Sequence, residues 1–262
     1  MDLGLQGKTA LLTGASRGLG FATARVLAQE GVRLAINSRS PEQLARAKQE
    51  LYEFNDEILT LPGDVTQVGT PQKLVDAVLE GFGGLDLLFT NAGGPPPGPF
   101  EEIGEETWKE AIDLSFMSHV RLISAALPAL KHSDTPSVLT VTSISIKQPI
   151  PNLVLSNSIR AATAGLTKTL ALELGPEGIR FNSILPSWTH TERVEQLLRD
   201  RAYRKGTSVQ QEIAVQNQQS PLGRMGQPEE FARAAAFLLS PAASYITGVM
   251  LPVDGGTYKG LF

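Results

Sequence analysis

Thr9-Ala10-Leu11-Leu12-Thr13-Gly14-Ala15-Ser16-Arg17-Gly18-Leu19-Gly20-Phe21 is the stretch whose reading decides the fold. Its first four residues form a short apolar run of the kind that makes a strand buried on both faces. From Gly20 onward the chain turns helical, with Phe21, Val26 and Leu27 among its apolar residues. Glycines at such a turn let the backbone approach a pyrophosphate, and the unpaired N–H groups and dipole of the helix start attract its charge. The spacing is Gly-x-x-x-Gly-x-Gly rather than the commoner Gly-x-Gly-x-x-Gly, so taken alone the turn also reads as a tight strand-to-helix connection without a ligand. As a phosphate cradle it would use Gly14, Ser16, Arg17, Gly18, Leu19 and Gly20.

Outward from this turn the same alternation repeats. Apolar runs at Leu34-Ala35-Ile36, 85–89 and 138–141 read as further buried strands. Between them, Leu44, Ala47, Leu51 and Phe54, then Leu74, Val75, Val78, Leu79 and Phe82, recur at helical spacing. Ser40-Pro41-Glu42-Gln43 supplies a helix start with a serine cap, an early proline and a glutamine where a capping box wants it; Thr70-Pro71 and Gln227-Pro228-Glu229 read similarly. Strands alternating with helices predict an α/β fold, one doubly wound parallel sheet with helices on both faces. The chain is expected to be a single dinucleotide-binding domain over 1–262, with a polar, helical lid or specificity insertion at about 191–220. The stretch Gly93-Gly94-Pro95-Pro96-Pro97-Gly98-Pro99 reads as a stiff loop, not a linker.

A dinucleotide fold places the group that reads the adenosine ribose about 20 residues after the glycine turn, at the end of the second strand. That strand ends Asn37-Ser38-Arg39. An acidic residue there would grip the ribose 2′-hydroxyl and repel a 2′-phosphate, whereas Ser38 and Arg39, with Arg17 in the turn, favour NADP(H) over NAD(H).

Composition narrows the rest. The chain has 262 residues, 42% hydrophobic and 19% charged, so it buries a core without needing staples. With no cysteine there is no disulfide, thiolate metal site or cysteine nucleophile. A net charge of −4 without a basic run argues against nucleic acid as a partner. No metal cluster is apparent. Residues 1–8 lack the makeup of a secretion signal, and no window approaches about 18 apolar residues, so a soluble, cytoplasmic protein without membrane contact is expected.

Several motifs in order resemble those of the short-chain dehydrogenase/reductase family, from about Gln6 to Gly256. Thr13 to Gly20 resembles its cofactor turn. Gly63-Asp64-Val65 resembles its adenine contact, which implicates Asp64 and Val65, and Thr90-Asn91-Ala92-Gly93 its Asn-Ala-Gly motif, which counts Asn91, Ala92 and Gly93 among the cofactor contacts. Pro186-Ser187-Trp188-Thr189-His190-Thr191 is similar to the loop that closes on the nicotinamide, with Ser187 in place of glycine; Pro186, Thr189 and Thr191 would touch the cofactor. Leu251 to Gly256 resembles an ending often found at a tetramer interface. The resemblance implies a Rossmann fold, a nicotinamide cofactor, and a homotetramer or, failing that, a dimer.

Catalysis in that family uses Ser, Tyr, Lys and Asn. Ser143 matches the Ser. The Tyr position is Ser156, the Lys position Arg160 and the Asn position Ser115, and the flanking helix fits without a gap. The resemblance therefore implies an oxidoreductase acting on a small carbonyl or alcohol, with its acid–base residues replaced. A positioned general acid is worth about 10²- to 10⁴-fold. Two substitutes offer themselves: His190 on the closing loop, or a water held by Ser143, Ser156 and Arg160, with Arg160 also bonding the nicotinamide ribose. His119 and His132 read as structural. Val154, Leu155 and Trp188 are expected to line the substrate pocket. The alternative is a family member that binds NADP(H) with little or no redox activity, as a cofactor sensor or partner subunit; a third reading uses Arg160 as a clamp for a charged substrate.

Overall fold

Along each central strand the side chains alternate between two covered faces, which is why the strands read as continuous apolar runs. Leu12, Leu34, Ile36 and Phe89 point to one core, and Leu11, Ala35 and Leu88 to the other. In the computed structural model, which describes residues 1–261, the strands are β1 (Thr9–Leu12), β2 (Arg33–Ser38), β3 (Ile58–Pro62), β4 (Leu87–Thr90), β5 (Ser137–Val141), β6 (Arg180–Pro186) and β7 (Met250–Val253). They form one sheet of order β3-β2-β1-β4-β5-β6-β7, all neighbours parallel. Phe262, the last residue of the expected domain, lies outside the described residues.

The helices that cover the sheet are α1 (Gly18–Gln29), α2 (Pro41–Leu51), α3 (Thr70–Phe82), α4 (Glu105–Ile112), α5 (Ser118–Leu130), α6 (Val154–Leu174), α7 (Glu192–Lys205), α8 (Val209–Gln219) and α9 (Pro228–Leu239). One core takes Leu27 of α1, Leu44 of α2 and Phe231 of α9; the other takes Leu74 and Val78 of α3 and Leu122 of α5. Each fully buried side chain of this kind contributes about 1.5–3 kcal/mol. A doubly wound parallel sheet is therefore the fold, as the alternation predicts.

Local signals hold in part. Ser40 caps α2, its Oγ accepting the Gln43 N–H at 3.2 Å. The capping box does not close there, because Gln43 Oε1 instead accepts from Ser16 Oγ at 3.3 Å and ties α2 to the glycine turn. Phe54, counted into the helical repeat, falls past the end of α2 and is exposed. Gly69, not Thr70, caps α3, and without a side-chain bond. At α9 the Glu230 carboxylate accepts the Gln227 N–H at 2.8 Å, while the Glu230 N–H donates to the Gln227 carbonyl at 3.0 Å.

β1 lies between β2 and β4, so the chain winds outward in both directions from that point and opens a crevice at the carboxyl ends of β1 and β4. Residues 191–220 stand above it as the α7–α8 hairpin. A Ser208–Gln211 capping box starts α8, and buried Glu212 accepts from Lys205 Nζ at 3.1 Å and Thr207 Oγ1 at 2.8 Å. Gly98 bonds Asn152 across 2.7 Å, so the glycine–proline loop is pinned to the start of α6. Among the described residues no helix is long and apolar enough to cross a membrane.

Candidate functional site

The glycine turn is held by backbone packed on backbone. Gly14 and Gly18 take φ of +58° and +57°, the left-handed region that a side chain resists. A Cβ at Gly20 would stand 2.2 Å from the Gly14 carbonyl oxygen. From the end of β4, Asn91 Nδ2 donates to that same oxygen at 3.1 Å, while the Thr13 hydroxyl donates to the Asn91 carbonyl at 2.9 Å and accepts its N–H at 3.0 Å. Asn91, counted among the cofactor contacts, therefore turns its side chain to the turn itself and acts through Gly14. Ala92 and Gly93 follow it into the open crevice, and no atom lies within 4 Å of where a Gly93 Cβ would sit. Leu19 packs toward the core. The first residues of α1 receive no side-chain cap from Arg17, so the N–H groups there are available to an anion. These residues fit the diphosphate of a dinucleotide.

At the adenosine end Arg39 is exposed at the tip of β2, and Ser38 Oγ donates to the Ser40 carbonyl at 3.4 Å. Asp64 accepts from the Thr66 N–H and hydroxyl at 3.0 and 2.8 Å, and Val65 sinks into the core. Arg17, in the turn, pairs with Glu192 at the first turn of α7, both side chains remaining exposed.

Ser143 follows β5 and opens a 3-10 turn, where its Oγ accepts the Ser145 N–H at 3.1 Å and keeps its own hydrogen free to donate. Ser156 is half-buried in the first turn of α6. One turn further, Arg160 is buried and donates from Nη1 to the carbonyls of Val141 and Thr142 at 3.0 and 3.1 Å. That nitrogen is thereby committed to the end of β5. Burial, and then the nearby charge of Arg193, pushes Arg160 down to about 10, so it stays cationic at neutral pH. Ser115 lies in a π-helical turn, Asp113–Met117, a feature frequent at functional sites. Its carbonyl accepts from Thr163 Oγ1 at 2.7 Å, while its buried Oγ has no partner in the protein.

His119, read from sequence as structural, lies one helical turn after Ser115 and is 1% exposed, with neither ring nitrogen partnered by the protein. Burial first, and the charge of Arg160 second, lower it to about 3, so it is neutral. The four-residue spacing from Ser115 was the available signal. Arg193 was also missed: its Nη2 donates to the Pro95 carbonyl at 2.6 Å and brings a second cation over the crevice.

Beside Ile144, the residue after Ser143, opens a cleft of about 810 Å³ whose walls also include Pro149, Pro151, Ser187 and Trp188; Ser143 itself is not in its lining. Trp188 stands where expected. Val154 and Leu155 do not: they pack with Ala111, Ile159 and Trp108 in a small core beneath α4, since at the start of α6 they face that helix. His190 is also displaced. Its N–H is fixed to the Gly226 carbonyl at 2.9 Å, and the exposed residue borders a second depression with Gly18, Phe21, Arg25, Thr191 and Pro228 along α1. It does not line the cleft. Buried Thr189 bonds the Ser187 carbonyl at 3.4 Å, Pro186 ends β6, and Thr191 caps α7 while its methyl faces Gly18, closing the loop over the cradle. Among the described residues no cluster of His, Asp or Glu could hold a metal ion.

The sequence model for enoyl-(acyl carrier protein) reductase matches residues 14–258. The chain is similar to dehydrogenase/reductase SDR family member 4 of Homo sapiens, 34% identical over 257 residues, 97% of this chain and 88% of that protein. Among solved structures it resembles L-sorbose reductase of Gluconobacter frateurii complexed with NADPH and L-sorbose, with a TM-score of 0.94, 31% identity and full coverage of both chains. It also resembles the NADPH-bound short chain oxidoreductase of Pseudomonas aeruginosa PAO1 described as containing an atypical catalytic center, with a TM-score of 0.88, 31% identity and 97% of each chain covered.

Proposed function

Because the chain belongs to the short-chain dehydrogenase/reductase family, we propose that it binds NADP(H) in preference to NAD(H) and interconverts a carbonyl and an alcohol with acid–base residues other than the family's usual ones. The observation that carries this reading is Arg160 fastened to the carbonyls of Val141 and Thr142, which keeps a buried cation beside Ser143 where the ammonium is missing. NADPH, when bound, supplies the hydride to the carbonyl carbon. Gly14, Gly18, Gly20 and the open start of α1 hold its diphosphate, and Arg39 meets the 2′-phosphate.

The Ser145 N–H orients Ser143, whose hydroxyl then donates to the substrate oxygen. As negative charge develops on that oxygen, the fixed charge of Arg160 stabilises it without reorganisation. The proton passes to the alkoxide from a water held by Ser143, Ser156 and Arg160, and the hydroxide left behind is neutralised by a proton from solvent. His190, which does not line the cleft, has no part in this scheme. The α7–α8 hairpin serves as the lid, the substrate is a small molecule, and the working form is a cytoplasmic homotetramer or dimer, as the family resemblance implies.

One observation favours the second reading, a cofactor sensor or partner subunit. The two buried ionisable groups of the catalytic end are held far from neutrality, His119 at about 3 and Arg160 at about 10, and neither exchanges a proton readily near pH 7. Titration with NADPH and NADH, followed by nicotinamide absorbance across ketones, aldehydes and 3-oxoacyl thioesters, separates the two. Turnover that falls about 10²- to 10³-fold in Ser143→Ala, with NADPH affinity kept, is the expected result. Equal turnover in that variant overturns the role of Ser143. Tight binding with no reduction of any compound, and so no oxidation of NADPH, favours the sensor.

A further inference from the structure

The cleft beside Ile144 has two kinds of wall. Pro149, Ile150, Pro151, Trp188 and Val215 make an apolar one, and Arg201, Arg204, Lys205 and Lys259 a cationic one that includes a single acid, Asp200. This patch sits on a chain of net charge −4. A concave patch opposite in sign to the whole protein gathers ligands of the other charge.

Most of its charges are already answered. Arg204 pairs with Glu102, Lys205 with Glu212, and Asp200 accepts from Gln196. Arg201 is different: among the described residues it makes no hydrogen bond or ion pair. Its guanidinium lies 4.7 Å from the centre of the Trp188 ring, which fixes its plane and leaves the N–H edge open. Burial lowers its basicity, against the smaller opposing pull of Glu212.

A second observation points to the same wall. Gln216 is 2% exposed and lines the cleft, yet neither its amide oxygen nor its nitrogen has a partner in the protein. It stands on α8 one turn beyond Glu212, the residue that fastens the hairpin to α7. A buried amide left unmet costs about 1–3 kcal/mol, so such a group is explained by a ligand that meets it.

We propose that this cleft takes an oxo-acid, or the matching hydroxy-acid, with an apolar body. The body lies against Trp188 and the prolines, the reacting carbonyl faces Ser143, and the carboxylate is held by Arg201 with the Gln216 N–H as a further donor. A planar guanidinium matches the two oxygens of a carboxylate, which is why arginine rather than lysine suits this position. The assignment rests on the oxidoreductase reading and names the substrate class of that site.

The test is calorimetric titration of the full-length protein, with and without saturating NADP⁺, using 4-oxo-4-phenylbutanoate and its methyl ester. The acid is expected to bind at least about 10-fold more tightly than the ester, the worth of one charge-assisted hydrogen bond. Arg201→Gln should abolish that difference while leaving the ester's affinity unchanged, and Gln216→Leu should reduce it. Equal affinities for acid and ester, or an acid preference that survives Arg201→Gln, overturn the proposal. Displacement of the acid by equimolar inorganic phosphate would assign the site to a phosphorylated ligand instead and overturn the carboxylate. If the protein binds no nicotinamide cofactor, the oxidoreductase reading fails separately, and the acid-to-ester ratio without cofactor still decides whether the anion site exists.

Discussion

The cradle at the end of β1 and the catalytic end of β5 face the same crevice, yet they are built differently. In the cradle every decisive contact involves backbone: Gly14 against Gly20, and Asn91 and Thr13 bonded to main-chain groups. At the catalytic end the decisive groups are side chains, and several are buried without a protein partner, namely Ser115 Oγ and both nitrogens of His119. Backbone packing tolerates no substitution that adds an atom. Side chains around a polar space can be exchanged, provided the fold still closes over them. The contrast explains how a chain keeps its glycine turn while Ser156, Arg160 and Ser115 stand where Tyr, Lys and Asn are usual.

The largest effect expected from this contrast is on acid stability. Free histidine takes its proton below about 6.5, whereas folded His119 stays neutral to about 3. The unfolded chain therefore binds the extra proton between those values, and the stability that neutral His119 contributes is complete above pH 6.5 and lost as pH falls toward 3. The loss amounts to about 4 kcal/mol. Denaturant titrations of wild type and His119→Val at pH 7 and pH 4 should show much less acid destabilisation in the variant. An identical pH profile would mean that the catalytic end carries no such burial cost.

Gly20→Ala comes next and probes the cradle. Its methyl would press on the Gly14 oxygen, a crowding worth about 1–3 kcal/mol, so NADPH should bind about 10- to 100-fold more weakly by fluorescence titration. Unchanged affinity would show that the turn yields more easily than its contacts suggest. The smallest effect belongs to His190→Ala. Because His190 does not line the cleft, turnover and its pH dependence should stay within about twofold of wild type, and a loss beyond that would return His190 to the catalytic end.

These differences also mark what the sequence made legible. Strand β1, the glycine turn, β2, β4 and β5 were evident, because strands covered on both faces are written as apolar runs and glycine turns as punctuation. Strands β3, β6 and β7 were not singled out, since Pro62, Asn182, Ser183 and Pro252 interrupt their apolar character. The positions of Ser143, Ser156, Arg160 and Ser115 were found through motif order. Where their atoms point was not, because the partners of Arg160 are carbonyls 18 and 19 residues away in sequence. Val154 and Leu155 were misassigned for a related reason: their apolar nature says that they are buried, not whether a helix or a ligand covers them. His119 carries no local signal beyond its spacing from Ser115. Only the packed helices reveal that its ring is sealed in beside a cation.

Helix α7 joins what the chain otherwise keeps apart. Its first turn is tied to the cradle by Glu192 on Arg17, and by Thr191, which caps it and faces Gly18. Its last turns carry Arg201 and Lys205 into the cleft. Fourteen helical residues make a rod about 21 Å long. One continuous helix thus touches the cradle at its first turn and the cleft at its last, so that a single rigid rod gauges the distance between the two.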